Sequence, residues 1–187
     1  MEKFYKNILL IAGTGQNVGK TLFASQVIAQ QAKDFPVISI KIAPHFHRLS
    51  PDAQIIEKGP DYCIIKEINA DGNKDSHRFL NAGSKEVYYV QCMDNKLPIV
   101  FDKLMKLIPK DSPIICESGG LRQIVKPGIF LMINKTNNKQ IKPQALRNRE
   151  LADKWIEFDE QKFDFDPKKL QFSESGWTIQ NEPYDHF

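Results

Sequence analysis

Residues 7–21 read Asn7-Ile8-Leu9-Leu10-Ile11-Ala12-Gly13-Thr14-Gly15-Gln16-Asn17-Val18-Gly19-Lys20-Thr21. An apolar run of strand length enters a glycine-rich turn that ends in Gly-Lys-Thr. The segment that follows, Leu22 to Ala32, has helical spacing. Strand, glycine turn, Lys-Thr and helix in this order form the context of a phosphate-binding loop. Backbone N–H groups of such a turn, and of the helix N-terminus, point at an anion. Lys20 brings a point charge to the β- and γ-phosphates, and the Thr21 hydroxyl can ligate a Mg²⁺ ion that bridges them. Thr14 stands where the first glycine of the loop is usual; Gly13 and Gly15 on either side still permit close backbone approach. The expected nucleotide contacts are therefore Gly13, Thr14, Gly15, Gln16, Asn17, Val18, Gly19, Lys20 and Thr21.

A chain of 187 residues suits a single domain with a sizeable core. Its net charge of +3 is mild, and lysines and arginines are scattered among acids, so no basic stripe argues for nucleic acid. The first apolar run is short and leads straight into the loop, which excludes a signal peptide or a membrane span; the expectation is a cytoplasmic protein. Cys63, Cys92 and Cys116 lie in or beside apolar runs without any Cys-x-x-Cys pair, and read as buried free thiols. Residues 160–187, polar and rich in aromatics, read as a small C-terminal appendage.

Further strands are expected at residues 36–42, 62–68, 86–91, 113–116, 128–133 and 154–158, the second of these at a sheet edge. Helices are expected at 75–81, stopped by Gly83, at 97–107, closed by Pro109, and at 144–151. Residues 43–60, with their prolines and two histidines, read as a long loop. Short apolar strands alternating with helices imply an α/β fold, a mostly parallel sheet flanked by helices on both faces. Ligands of such sheets sit at the carboxyl ends of the strands, where the polar signatures of this chain fall.

Glu117 ends one of these strands. A carboxylate there can hold Mg²⁺ directly or through water, or can meet solvent alone. Gly119 and Gly120 would let backbone approach a terminal phosphate. Asn134-Lys135-Thr136-Asn137 is similar to the Asn-Lys-x-Asp turn that reads guanine, with Asn137 in place of the acid. An amide has one acceptor oxygen for two guanine donors, so a purine pocket at Asn134 and Lys135 would discriminate weakly; an ordinary Asn-rich turn is the alternative. Lys41 ends the second strand, placed to bind a second anionic substrate or to act as an amine nucleophile. His45, His47 and Arg78 could join it around that anion. Asp75 opens a helix, either as a cap or as a third group at the Mg²⁺ site with Thr21 and Glu117. His45, His47 and His77, with Cys63 or Asp52, lack zinc spacing, and solvated loop histidines are the commoner case.

Lys41 followed by the His45-x-His47 loop, then Lys74-Asp75-Ser76-His77-Arg78 and Asn81-Ala82-Gly83, resembles the molybdopterin-guanine dinucleotide biosynthesis protein B family over roughly residues 5–135. The loop itself resembles dethiobiotin synthetase and the cobyrinate amidases, and Glu117-Ser118-Gly119-Gly120 looks like the Glu-Gly-x-Gly-Gly element of the synthetase shortened by one residue. Both resemblances imply a P-loop NTPase with a three-layer sandwich that binds GTP or ATP with Mg²⁺. The first implies a homodimeric accessory factor that helps attach guanylate to molybdopterin beside a guanylyltransferase partner. The second implies an ATP-dependent ligase acting on a small carboxylate or amine, with Lys20 and Lys41 serving nucleotide and substrate. A nucleotide-gated interaction switch is a third expectation.

Overall fold

The computed structural model describes residues 2–49, 53–71, 74–137, 141 and 143–180. In chain order the elements are β1 (Lys3–Gly13), α1 (Lys20–Gln31), β2 (Ile38–Ala43), β3 (Gln54–Gly59), β4 (Tyr62–Glu67), α2 (Asp75–Asn81) and β5 (Glu86–Cys92). There follow α3 (Leu97–Met105), β6 (Ile114–Glu117), β7 (Val125–Lys135), α4 (Pro143–Arg149), β8 (Lys154–Phe158), β9 (Leu170–Ser173) and β10 (Gly176–Ile179). Among the described residues, eight strands form one sheet in the order β3-β4-β5-β2-β6-β1-β7-β8. The pairs from β5 across to β8 are parallel, whereas β4 runs antiparallel to β5 and β3 antiparallel to β4. The fold is α/β, with a mostly parallel sheet flanked by helices.

Alternation explains why the apolar runs are continuous. Ile8 and Leu10 of β1 pack into a core with Ile40, Phe101, Leu104 and Phe130 on the α3 side. Leu9 and Ile11 pack into a second core with Phe23, Val27, Phe79 and Leu131 on the α1 and α2 side. A strand buried on both faces needs an apolar residue at every position, and each such side chain contributes roughly 1.5–3 kcal/mol of burial. Among the described residues no helix is long and apolar enough to cross a membrane.

Two expectations change. Residues 43–60 are not all loop: Gln54–Gly59 is β3, the edge strand, and β4 is its inner neighbour. Ile55 and Ile56 of β3 are both exposed, so its sequence carries no inward-outward alternation. The strand exists because the turn at residues 60–61 folds it back on β4, and pairing of that kind leaves no mark in periodicity. The stretch read as a C-terminal appendage is also tied into the sheet's main body: β9 and β10 form a hairpin that closes over α1 and β1. Its Leu170 and Trp177, with Phe165, are buried in the second core.

Candidate functional site

Three adjacent strands end together. β6 lies between β1 and β2, with Glu117 in register with Ile11 on one side and Lys41 on the other. The loop leaving β1 and the residues ending β6 and β2 are thereby set side by side at the carboxyl edge of the sheet.

The loop is held by close packing. A Cβ on Gly13 would come within 2.7 Å of Val18 Cγ2 and 2.8 Å of Lys20 Cδ, so the bare glycine lets the lysine stem lie across the strand end. Lys20 Nζ donates to the Gly15 carbonyl at 2.7 Å. Gly19 has φ +95°, a conformation that side chains rarely adopt, and a Cβ there would also strike Phe158 at 2.8 Å. Its carbonyl accepts from the Phe23 amide at 2.9 Å in the first turn of α1. Gln16 and Asn17 are exposed, Asn17 at φ +54°, and Val18 is buried beneath them.

Glu117 is the buried centre, 2 % exposed. Its Oε2 accepts from the Thr21 hydroxyl at 2.8 Å, and its Oε1 accepts from Lys41 Nζ. Lys41 Nζ also donates to Asp75 Oδ2 at 2.8 Å. Burial works against the charge on Lys41, but Glu117 and Asp75 outweigh it and hold the amine pKa above its ordinary value. Burial likewise opposes the Asp75 carboxylate, and Lys41, Thr21 and Arg78 together keep its pKa below the ordinary value. Asp75 is no helix cap: α2 starts after Lys74 with no side-chain cap bond, and the Asp75 carboxylate turns to Lys41 instead.

The expected second-ligand residues divide between two clefts that share Lys20, Lys41 and Glu117. His47 and Arg78 line the one beside Thr21 and Phe158. His45 lines the other, of about 230 Å³, beside Gly119, Asp94 and Asn148. Among the described residues, no heavy atom other than those of its two chain neighbours lies within 4 Å of a Cβ built on Gly119, so the backbone there has room for a ligand. Asp52 lies outside the described residues. His77 is buried on α2 with Nε2 3.4 Å from Glu67, and Cys63 is buried in β4. Among the described residues, no three His, Cys, Asp or Glu side chains gather as a metal cluster. The hydroxyl of Thr21 and the carboxylates of Glu117 and Asp75 are hard oxygen donors around one point, a set that fits Mg²⁺.

Asn134, Lys135 and Asn137 line neither cleft. Asn134 Oδ1 accepts from the buried Thr14 hydroxyl at 2.7 Å, while Nδ2 donates to Glu157 Oε2 at 2.9 Å. The Thr14 amide donates to the Ile133 carbonyl at 3.0 Å. Asn134 therefore ties the loop to β7 and β8, and Lys135 pairs with Glu160. Asn134→Ala is expected to lose about 1–3 kcal/mol of stability, read by urea denaturation, because buried polar groups lose partners. A loss near zero would show that this tie is not needed.

Sequence reasoning missed two supports. Asn148 of α4, 1 % exposed, donates to the Gly119 carbonyl at 3.3 Å and accepts from Gln123 at 2.6 Å, so it steadies the turn after Glu117. Phe158 and Phe163 stack at 4.5 Å beneath Gly19, and Phe163 meets Phe23 edge-on. The density of phenylalanine between residues 158 and 172 was the one signal for the second. Burial pushes the thiol of Cys92, which lines the His45 cleft, up to about 11, and drives that of Cys116 further still.

Set against protein-family models, curated proteins and solved structures, the chain matches none of them.

Proposed function

We propose that this protein is a P-loop NTPase that binds a Mg²⁺–nucleoside triphosphate on the Gly13–Thr21 loop and hydrolyses it slowly. The observation that carries this reading is the 2.8 Å hydrogen bond from Thr21, directly after Lys20, to the buried Glu117 on the neighbouring strand. A phosphate loop needs its Lys, its hydroxyl and a strand-end acid close together; the Thr21–Glu117 bond, with Lys20 lining the same clefts as Glu117, supports that reading. The loop amides and the N-terminus of α1 would hold the phosphates, with Lys20 moving from the Gly15 carbonyl to a phosphate oxygen. Thr21, Glu117 and Asp75 would hold Mg²⁺, which supplies neutralising charge to the phosphates. Calorimetric titration with ATP and with GTP, each with Mg²⁺, tests the reading; absence of binding to either overturns it.

Within this reading, Lys41, His47 and Arg78 around the loop cleft favour a second, small anionic substrate over a pure interaction switch. The role proposed is that of an accessory factor in molybdopterin guanine dinucleotide assembly, homodimeric and acting beside a guanylyltransferase. The dethiobiotin synthetase-like alternative is favoured by the open backbone at Gly119 in the pocket shared by Lys41 and Glu117. Nucleotide-dependent co-purification with a guanylyltransferase supports the first; nucleotide-dependent consumption of a small carboxylate or amine supports the second.

Glu117→Gln keeps the shape of the site and removes its charge. Mg²⁺-dependent hydrolysis is expected to fall about 10–100-fold, with a smaller loss in nucleotide affinity. Normal turnover of the variant at limiting Mg²⁺ would remove Glu117 from the metal site.

A further inference from the structure

The atoms that would hold the metal are already engaged by a cation of the chain itself. Glu117 is 2 % exposed, and a carboxylate so buried is costly unless its charge is matched. Lys41 matches it, bridging Glu117 and Asp75, while Thr21 takes the second Glu117 oxygen. An ion entering alone would have to remove the ammonium from both acceptors. It would then leave a lysine side chain, 18 % exposed, beside a divalent charge of the same sign. A metal–nucleotide complex changes that balance, because its phosphates bring new acceptors for the displaced ammonium. Lys41 lines both the loop cleft and the His45 pocket, so its stem borders each of the spaces such an anion could occupy.

We infer that Lys41 is the resident counter-cation of the Glu117–Asp75 pair, that it closes the site to a free divalent ion, and that the metal is admitted only as its nucleotide complex. The inference rests on the loop being a nucleotide site, and it adds how that site is gated. Metal and nucleotide are then coupled ligands, each raising the affinity of the other by the same factor.

Mn²⁺, followed by its electron paramagnetic resonance, is the probe. The full-length wild-type chain is expected to leave millimolar free Mn²⁺ unbound in the absence of nucleotide, and to bind it once ATP or GTP is added. Lys41→Met, which keeps the stem and removes the charge, is expected to bind Mn²⁺ without nucleotide at least about ten-fold more tightly than wild type. Adding Glu117→Gln to that variant should abolish the gain. Wild type that binds free Mn²⁺ as tightly as Lys41→Met overturns the gating while leaving the nucleotide site standing. Wild type that binds Mn²⁺ with neither nucleotide overturns the nucleotide site itself, and the gating with it. Should Lys41→Met fail to fold, the ¹⁵N-labelled lysine ammonium signal of the wild-type chain decides, assigned by its loss in Lys41→Arg. Mg²⁺ alone should leave that signal in place, and Mg²⁺ with nucleotide should move it; movement by Mg²⁺ alone overturns the gating.

Discussion

Lys20→Ala is expected to weaken Mg²⁺–nucleotide binding by about ten- to a hundred-fold, measured by calorimetry on a variant whose fold is verified by circular dichroism. One charge-assisted hydrogen bond is worth about 1.5–3 kcal/mol, and every 1.4 kcal/mol or so is ten-fold in affinity. The fold should survive, because Lys20 is only half-buried and its bond is to a carbonyl of its own loop. Alanine is also a good residue at a helix start, so α1 keeps its first turn. Unchanged affinity in the folded variant would remove the phosphate site, and the reading of Thr21 and Glu117 as metal ligands would lose its basis.

Trp177→Ala is expected to cost about 3–5 kcal/mol of stability, seen as a lower urea midpoint. Trp177 is 5 % exposed although it lies near the end of the described chain. Its indole N–H donates to the Asn7 carbonyl at 2.9 Å, and its ring lies 5.4 Å from that of Phe172. Gly176 beside it has φ +108°, and a Cβ there would come within 2.5 Å of the Lys6 carbonyl, so the hairpin lies against the start of β1. Gln31 of α1 donates to the Leu170 carbonyl at 3.0 Å on the other side. A cost below about 1 kcal/mol, the range of surface substitutions, would mean that the hairpin is a loose addition.

The local pieces of the site were legible in the amino-acid sequence. The apolar run of β1, its glycine turn and the helical spacing of α1 are properties of neighbouring residues, governed by alternation, by the conformational freedom of glycine and by helical periodicity. The same local rules placed Glu117 at a strand end, Asp75 at a helix start and the stop at Gly83. They failed where the cause is distant. β3 is a strand through its pairing with β4, and Asn134 holds Thr14 across 120 residues of chain rather than standing open to a ligand.

By itself, then, the sequence determined an α/β chain with a glycine-rich turn between its first strand and first helix and a set of polar strand ends. Only the tertiary structure decided which of those ends meet. The order of parallel strands is set by crossover connections and by burial of both sheet faces, which no local pattern encodes. That order puts β6 between β1 and β2, joining Thr21 to Glu117 across 96 residues and Lys41 to Glu117 across 76. It also separates His45 from His47 into two clefts, and the aromatic-rich tail forms the floor beneath Gly19 because its apolar rings gain burial by joining the core on the α1 side of the sheet.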